Sequence, residues 1–237
     1  MATFIDLAES RGITDIGWLY GHHTFSFSNY YNPNRMSFGT LRVLNDDVIK
    51  PDKGFGTHSH NNMEIISIPL NGALRHRDSM GHEFVLKAGE IQVMSAGTGI
   101  THSEFNDSDS EDASLLQIWV LPKEQNLTPS YNQKALDRNA ILNKFELIIA
   151  PKDGNNNDVL TINQDAYFSI AVIDTDESVE YTKYQQDNGI YFFVIDGAVE
   201  LDTQVLNKRD GIGITDLDDL KIIAKQKSKV LCMEVPM

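Results

Sequence analysis

The chain has a single cysteine, Cys232, so it can form no intramolecular disulfide, and it has no cluster of thiolates to hold an iron–sulfur or other soft-metal centre. It is short of positive charge. Its 20 lysines and arginines stand against 34 aspartates and glutamates, a net charge of −14, which argues against direct nucleic-acid binding. No apolar run approaches the length of a membrane-spanning helix, so no membrane partner is expected. The opening Met-Ala-Thr-Phe-Ile-Asp-Leu has neither a basic region nor a long apolar stretch, which sets the expectation of a cytoplasmic protein. Histidine is the most unevenly used residue: all seven lie between His22 and His102, and the last 135 residues contain none. Chemistry that needs imidazole is therefore confined to the N-terminal half.

That half holds two short pairs. His58 and His60 are two apart in Gly-Phe-Gly-Thr-His-Ser-His (Gly54 to His60), and His102 and Glu104 are two apart in Gly-Thr-Gly-Ile-Thr-His-Ser-Glu-Phe-Asn (Gly97 to Asn106). On strands, the period of two puts both members of a pair on one face. Two such faces opposed across a small β-structure converge on one point. Three neutral imidazoles and a carboxylate are donors for one divalent transition metal per chain. They leave one or two octahedral positions open, the feature that separates a catalytic ion from a structural one. Fe(II), Mn, Co, Ni, Cu and Zn all suit this donor set. Glu64, four residues after His60, competes with Glu104 for the carboxylate place. His22, His23, His76 and His82 are assigned to packing or surface roles. Arg75, Arg77 and Asp78 are read as a structural polar cluster.

These residues resemble the cupin signature, His-x-His-x3-Glu, then Gly, then a Gly-rich turn with His-x3-Asn, at His58, His60, Glu64, Gly72, Gly97, Gly99, His102 and Asn106. The fuller wording is similar to the pirin family, and within it to bacterial pirin-like quercetinases. It comprises Gly54 to Glu64, His-Arg-Asp-Ser-Met-Gly (His76 to Gly81) and Met-Ser-Ala-Gly-Thr-Gly-Ile-x-His-Ser-Glu (Met94 to Glu104), within a dense stretch from about Trp18 to Trp119. The resemblance implies a bicupin whose C-terminal barrel has lost its metal ligands. It implies Fe(II) as the metal and Glu104, not Glu64, as the fourth ligand. It also implies a metal-dependent dioxygenase of the quercetin 2,3-dioxygenase type, with a flavonol and dioxygen as substrates and Glu104 as the group that takes the flavonol's hydroxyl proton. The other activity it implies is regulatory, a metalloprotein whose metal state governs binding to a protein partner.

The remaining pattern fits an all-β chain of two antiparallel barrels of the cupin or jelly-roll kind, with little helix. Short apolar runs alternate with turn residues, as at Met63 to Leu70, Asn71-Gly72, Ala73 to Arg77, Glu83 to Leu86 and Ile91 to Met94. Thr24 to Tyr30 reads as a strand, Asn45-Asp46-Asp47 as a turn ending a strand at Leu44, and Tyr131 to Asn139 as a short helix. Leu70-Asn-Gly-Ala-Leu74 reappears as Ile195-Asp-Gly-Ala-Val199, and Ala88-Gly-Glu-Ile91 faintly as Asp210-Gly-Ile-Gly213, which suggests two copies of one barrel. The expected division is residues 1–130, the metal-binding cupin, and 131–237, a degenerate cupin without ligands.

Overall fold

A computed structural model describes residues 3–154 and 158–237; the start of the leading segment Ala2 to Arg11, which by sequence suits helix or strand, and the middle of Asp153 to Asp158, whose glycine and three asparagines read as a turn, lie outside the described residues. The first strands are β1 (Thr3–Asp6), β2 (Gly12–Asp15), β3 (Leu19–His23), β4 (Leu41–Ile49), β5 (Gly54–His60), β6 (Glu64–Asn71), β7 (Ala73–Asp78), β8 (Glu83–Lys87), β9 (Glu90–Ser95), β10 (Ile100–Asn106), β11 (Ala113–Val120) and β12 (Ser130–Ala135). The second series is β13 (Glu146–Pro151), β14 (Leu160–Ile162), β15 (Tyr167–Ile173), β16 (Ser178–Thr182), β17 (Asn188–Asp196), β18 (Ala198–Leu201), β19 (Gln204–Asn207), β20 (Gly211–Ile214), β21 (Asp219–Ala224) and β22 (Ser228–Pro236). Among the described residues the only helical element is a 3₁₀ turn, Ala8–Ser10, and no helix is long and apolar enough to cross a membrane.

The chain divides into two units, one of Gly12–Leu136 with Ile162–Gln164, the other of Met1–Arg11, Asp137–Thr161 and Asp165–Met237. The N-terminal unit has a seven-stranded sheet, β12-β9-β6-β11-β4-β3-β2, and a four-stranded sheet, β5-β10-β7-β8. The C-terminal unit has β1-β20-β17-β22-β15-β13-β14 and β16-β21-β18-β19, which repeats the small-sheet order and the central β9-β6-β11-β4; at the far edge the strand beside the centre is the earlier of its pair, β13, where the N-terminal unit has the later, β3. The unit limits differ from the expected split at residue 130. The N-terminal sheet is completed by its own last strand, β12, on β9, whereas the C-terminal sheet takes β1, from the far N-terminus, on β20.

Local sequence explains these elements. β6 is apolar almost throughout and sits between β9 and β11; Ile65, Ile66 and Ile68 are 0–1% exposed, as a strand covered on both faces requires. β16 and β21 alternate exposed and buried residues, and their inward Val179, Tyr181, Leu220, Ile222 and Ala224 join Ile190, Phe192, Val230 and Cys232 in one core between the sheets. Cys232 is free and buried.

Four local expectations change. Asn71-Gly72 is not a hairpin turn, because β6 and β7 belong to different sheets. Gly72, at φ +73°, turns the chain from the large sheet to the small one, and Gly197, at φ +87°, makes the same turn between β17 and β18. Ser130 to Ala135 is a strand and not helix, since the open edge of β9 offers it a ladder of hydrogen bonds. Thr24 to Tyr30 is irregular, with only an isolated bridge between Phe27 and Tyr30. Asn45, Asp46 and Asp47 do not turn the chain; they lie in the middle of β4, paired with β11 and β3.

Candidate metal centre

β5 and β10 are neighbours in the small sheet of the N-terminal unit, with His102 opposite His58 and Ile100 opposite His60. The register then slips, so that Glu104 stands opposite Phe55. A bulge of this kind re-aims side chains where a site needs them. The rings of His58, His60 and His102 lie with centroids 4.5–4.9 Å apart. Each offers a ring nitrogen within 4.8 Å of the others. His58 Nδ1 donates to the Gly56 carbonyl at 2.8 Å, which leaves Nε2 with its lone pair. Burial first, and the neighbouring His58 second, hold His60 down at about 4. Burial, followed by His58, His60 and His76, holds His102 at about 3. Both rings are therefore neutral at pH 7, the form that binds a metal. His102 is buried and neither of its ring nitrogens has a hydrogen-bond partner. Such an orphaned donor pair fits an ion supplied from outside the chain.

Glu104 is buried at 3% exposure. Ser67 Oγ and Gln117 Nε2, both from the large sheet, donate to its two oxygens at 3.3 and 3.0 Å. Burial raises its pKa above the usual carboxylate value; His76, His58 and the two hydrogen bonds offset part of that rise. Glu64 is not part of the cluster. On β6 its neighbour Ile65 lines the cavity while Glu64 points to the opposite face, where it accepts from Ser95 Oγ at 2.7 Å and from the Asn163 backbone N–H at 3.1 Å.

His76, set aside on sequence grounds, is at the site. It stands opposite Glu104 across β10 and β7, and one of its ring nitrogens lies within 4.8 Å of donor atoms of His102 and Glu104. Its Nε2 bonds Asp78 at 3.1 Å, and Asp78 also bonds His82 Nδ1 at 3.0 Å. Arg75 and Arg77 pair instead with Asp107 and Glu83. The missed signal was the period-two run Leu74, His76, Asp78. His23 has a structural role, bonded to Asn45 and Thr14 at 2.8 Å each.

The three histidines and Glu104 face a cavity of about 160 Å³ between the sheets. Its other walls are Phe27, Asn45, Asp47, Phe55, Ile65, Gln117 and Trp119.

Two units of closely similar strand order, one with a histidine triad and the other with a core of aliphatic and aromatic side chains in its place, define a bicupin. Residues 6–120 match the family model Pirin, and residues 147–235 match the Quercetinase C-terminal cupin domain. The chain is 40% identical to a quercetin 2,3-dioxygenase of Escherichia coli (strain K12), over 98% of each chain, and 38% identical to a pirin-like protein of Caulobacter vibrioides, over 95% of this chain and 96% of that one. Its fold superposes on the crystal structure of the bacterial pirin YhhW from Escherichia coli in complex with nickel(II), with a TM-score of 0.92 at 38% identity and 99% coverage of both chains. The chain belongs to the pirin family.

Proposed function

We propose that this chain is a metal-dependent dioxygenase of the quercetin 2,3-dioxygenase type, cleaving flavonols with dioxygen. The observation that carries the reading is the convergence of three imidazoles and one buried carboxyl on a cavity between two sheets. Relatives at 40% identity bear the quercetin 2,3-dioxygenase name, and a pirin at 38% identity has been solved with nickel(II). In this reading His58, His60, His102 and Glu104 hold one divalent ion, Fe(II) being our assignment for the native metal, and the protein works in the cytoplasm.

When bound, the cation lowers the pKa of a coordinated hydroxyl. The chain's own residues do the rest. Glu104 accepts the hydroxyl proton, and the burial that raises its pKa equips it as a base. Ser67 and Gln117 hold that carboxylate in place. Phe27, Phe55, Ile65 and Trp119 give the aromatic substrate an apolar surround that excludes water. The test is oxygen uptake and carbon monoxide release on adding quercetin to metal-loaded protein, with metal-free protein alongside. Uptake confined to the loaded form is expected; no uptake with any of the six candidate metals would overturn the assignment.

A further inference from the structure

The large-sheet wall of the cavity carries a carboxyl that the proton transfer above does not use. Asp47 lies in the middle of β4, between Gly21 on β3 and Leu115 on β11, and is 4% exposed. Its Oδ1 has no hydrogen-bond partner. It stands over Gly21, where an added Cβ would come within 2.5 Å of Oδ1, so any side chain at position 21 would press on the carboxyl. Trp119 Nε1, on the same wall, is a second buried polar atom without a partner. A buried acceptor left unpaired costs stability, and most buried polar groups in native proteins are paired. An unpaired one on a cavity wall has its partner in whatever fills the cavity.

The size of the cavity limits what that is. Sites for drug-sized ligands usually measure roughly 300–1,000 Å³. At about 160 Å³ this one admits one substituted ring and not a three-ring flavonol. His60 also lines a second, open groove of about 370 Å³, with Ser59, Ser79, Thr98, Ile100 and Thr101 among its walls, which has room for the remainder of a larger substrate.

We propose that Asp47 anchors the substrate by taking a hydrogen bond from a hydroxyl of the ring that enters the cavity, so that the site selects hydroxylated over bare aromatic rings. This deepens the flavonol reading and rests on it.

The test is anaerobic titration of nickel(II)-loaded wild type, Asp47→Leu and Asp47→Asn with quercetin and with 3-hydroxyflavone, which has the same skeleton and 3-hydroxyl but no ring hydroxyls. Asp47→Leu is expected to weaken quercetin binding about tenfold or more while 3-hydroxyflavone stays within about twofold, and Asp47→Asn, which keeps an acceptor, to lose less. Equal weakening of both flavonols, or none, overturns the proposal. Melting of the metal-free proteins gives an independent arm. Asp47→Leu is expected to melt at or above the wild-type temperature, because a buried polar group without a partner has been removed; a fall marks a structural role and overturns the proposal. If wild type binds neither flavonol, the flavonol reading fails by itself. Asp47 is then judged with phenol against toluene, where preference for phenol in wild type that disappears in Asp47→Leu upholds the anchor and equal binding rejects it.

Discussion

The two units share the order of their small sheets and of the centre of their large ones, yet among the described residues only one of them gathers histidines and a carboxylate within metal-binding range. In the small sheet of the N-terminal unit, β5 and β10 carry His58, His60, His102 and Glu104. The strands at the same places in the C-terminal unit, β16 and β21, point Val179, Tyr181, Leu220, Ile222 and Ala224 into a continuous apolar core. The N-terminal interior is broken into smaller clusters, one around Leu19, Ile49, Leu74 and Leu115 and another around Ile65, Met94 and Ile100, with Asn45, Asp47, Gln117 and Glu104 lining the cavity. The jelly-roll frame is indifferent to which of these interiors it holds. In the reading proposed above, function lies in a handful of side chains set on two adjacent strands.

The widest effect that would test this contrast is on metal content. The double variant His58→Ala/His102→Ala is expected to fall from one ion per chain to none by elemental analysis. An ion retained by the variant would mean that the C-terminal unit, or a donor set including His76, binds metal by itself. Next in size is catalysis: Glu104→Gln keeps the shape but cannot act as base, and its quercetin turnover per bound metal should drop by about 10²–10⁴. Glu64→Gln should leave turnover per bound metal near wild type and lower stability by about 1–3 kcal/mol, since an amide would present donors to Ser95 and Asn163. Equal loss of turnover in the two glutamine variants would break the assignment.

Stability should then report the fuller C-terminal core. Ile222→Ala is expected to cost about 2–5 kcal/mol in denaturant unfolding with the metal content unchanged. A smaller effect is pH-dependent. Burial first, then Asp46 and Glu104, push Asp47 up to about 7. The folded protein thus keeps this proton over a range, from about pH 4 to pH 7, in which the unfolded chain releases it, so wild-type stability is lost as pH rises through that window. Asn cannot titrate. The melting temperature of metal-free Asp47→Asn minus that of wild type should therefore grow from pH 4 to pH 7 and then level off; a difference that shrinks over the same range would contradict it. Smallest of all is a pair of glycine variants at the matching turns. Alanine at a left-handed position costs about 1–2 kcal/mol. Gly197→Ala should exceed Gly72→Ala, because its Cβ would press on Ser228 and the Lys227 carbonyl, while that of Gly72 comes no nearer than 3.2 Å, to Ala113.

The sequence made legible whatever repeats at short range. His58, His60, His102 and Glu104 announce themselves through a period of two, and the absence of histidine after His102 shows which unit is bare. The Gly72 and Gly197 repeat marks the same topological turn, though as a passage between sheets and not as a hairpin. What stayed hidden depends on partners far along the chain. Asn45-Asp46-Asp47 has turn chemistry, but pairing with β3 and β11 on either side holds it extended, and so the wall that carries Asp47 was invisible. Ser130 to Ala135 has no strong strand preference and takes its form from the edge of β9. Glu64 and Glu104 cannot be told apart by residue type; they differ in which face of the sheet each occupies, and that depends on register.

The remote edge strand of the C-terminal unit has a consequence for synthesis. Thr3 of β1 pairs with Ile214 of β20, 211 residues later (214 − 3). At a ribosomal rate of roughly 5–20 residues per second, β1 leaves the ribosome about 10–40 s before its partner is made. The N-terminal unit, complete by β12 apart from Ile162–Gln164, is free to fold in that interval. β1, which carries Phe4 and Ile5, waits as an unpaired tether ahead of a finished domain and closes its sheet only when nearly the whole chain has been translated.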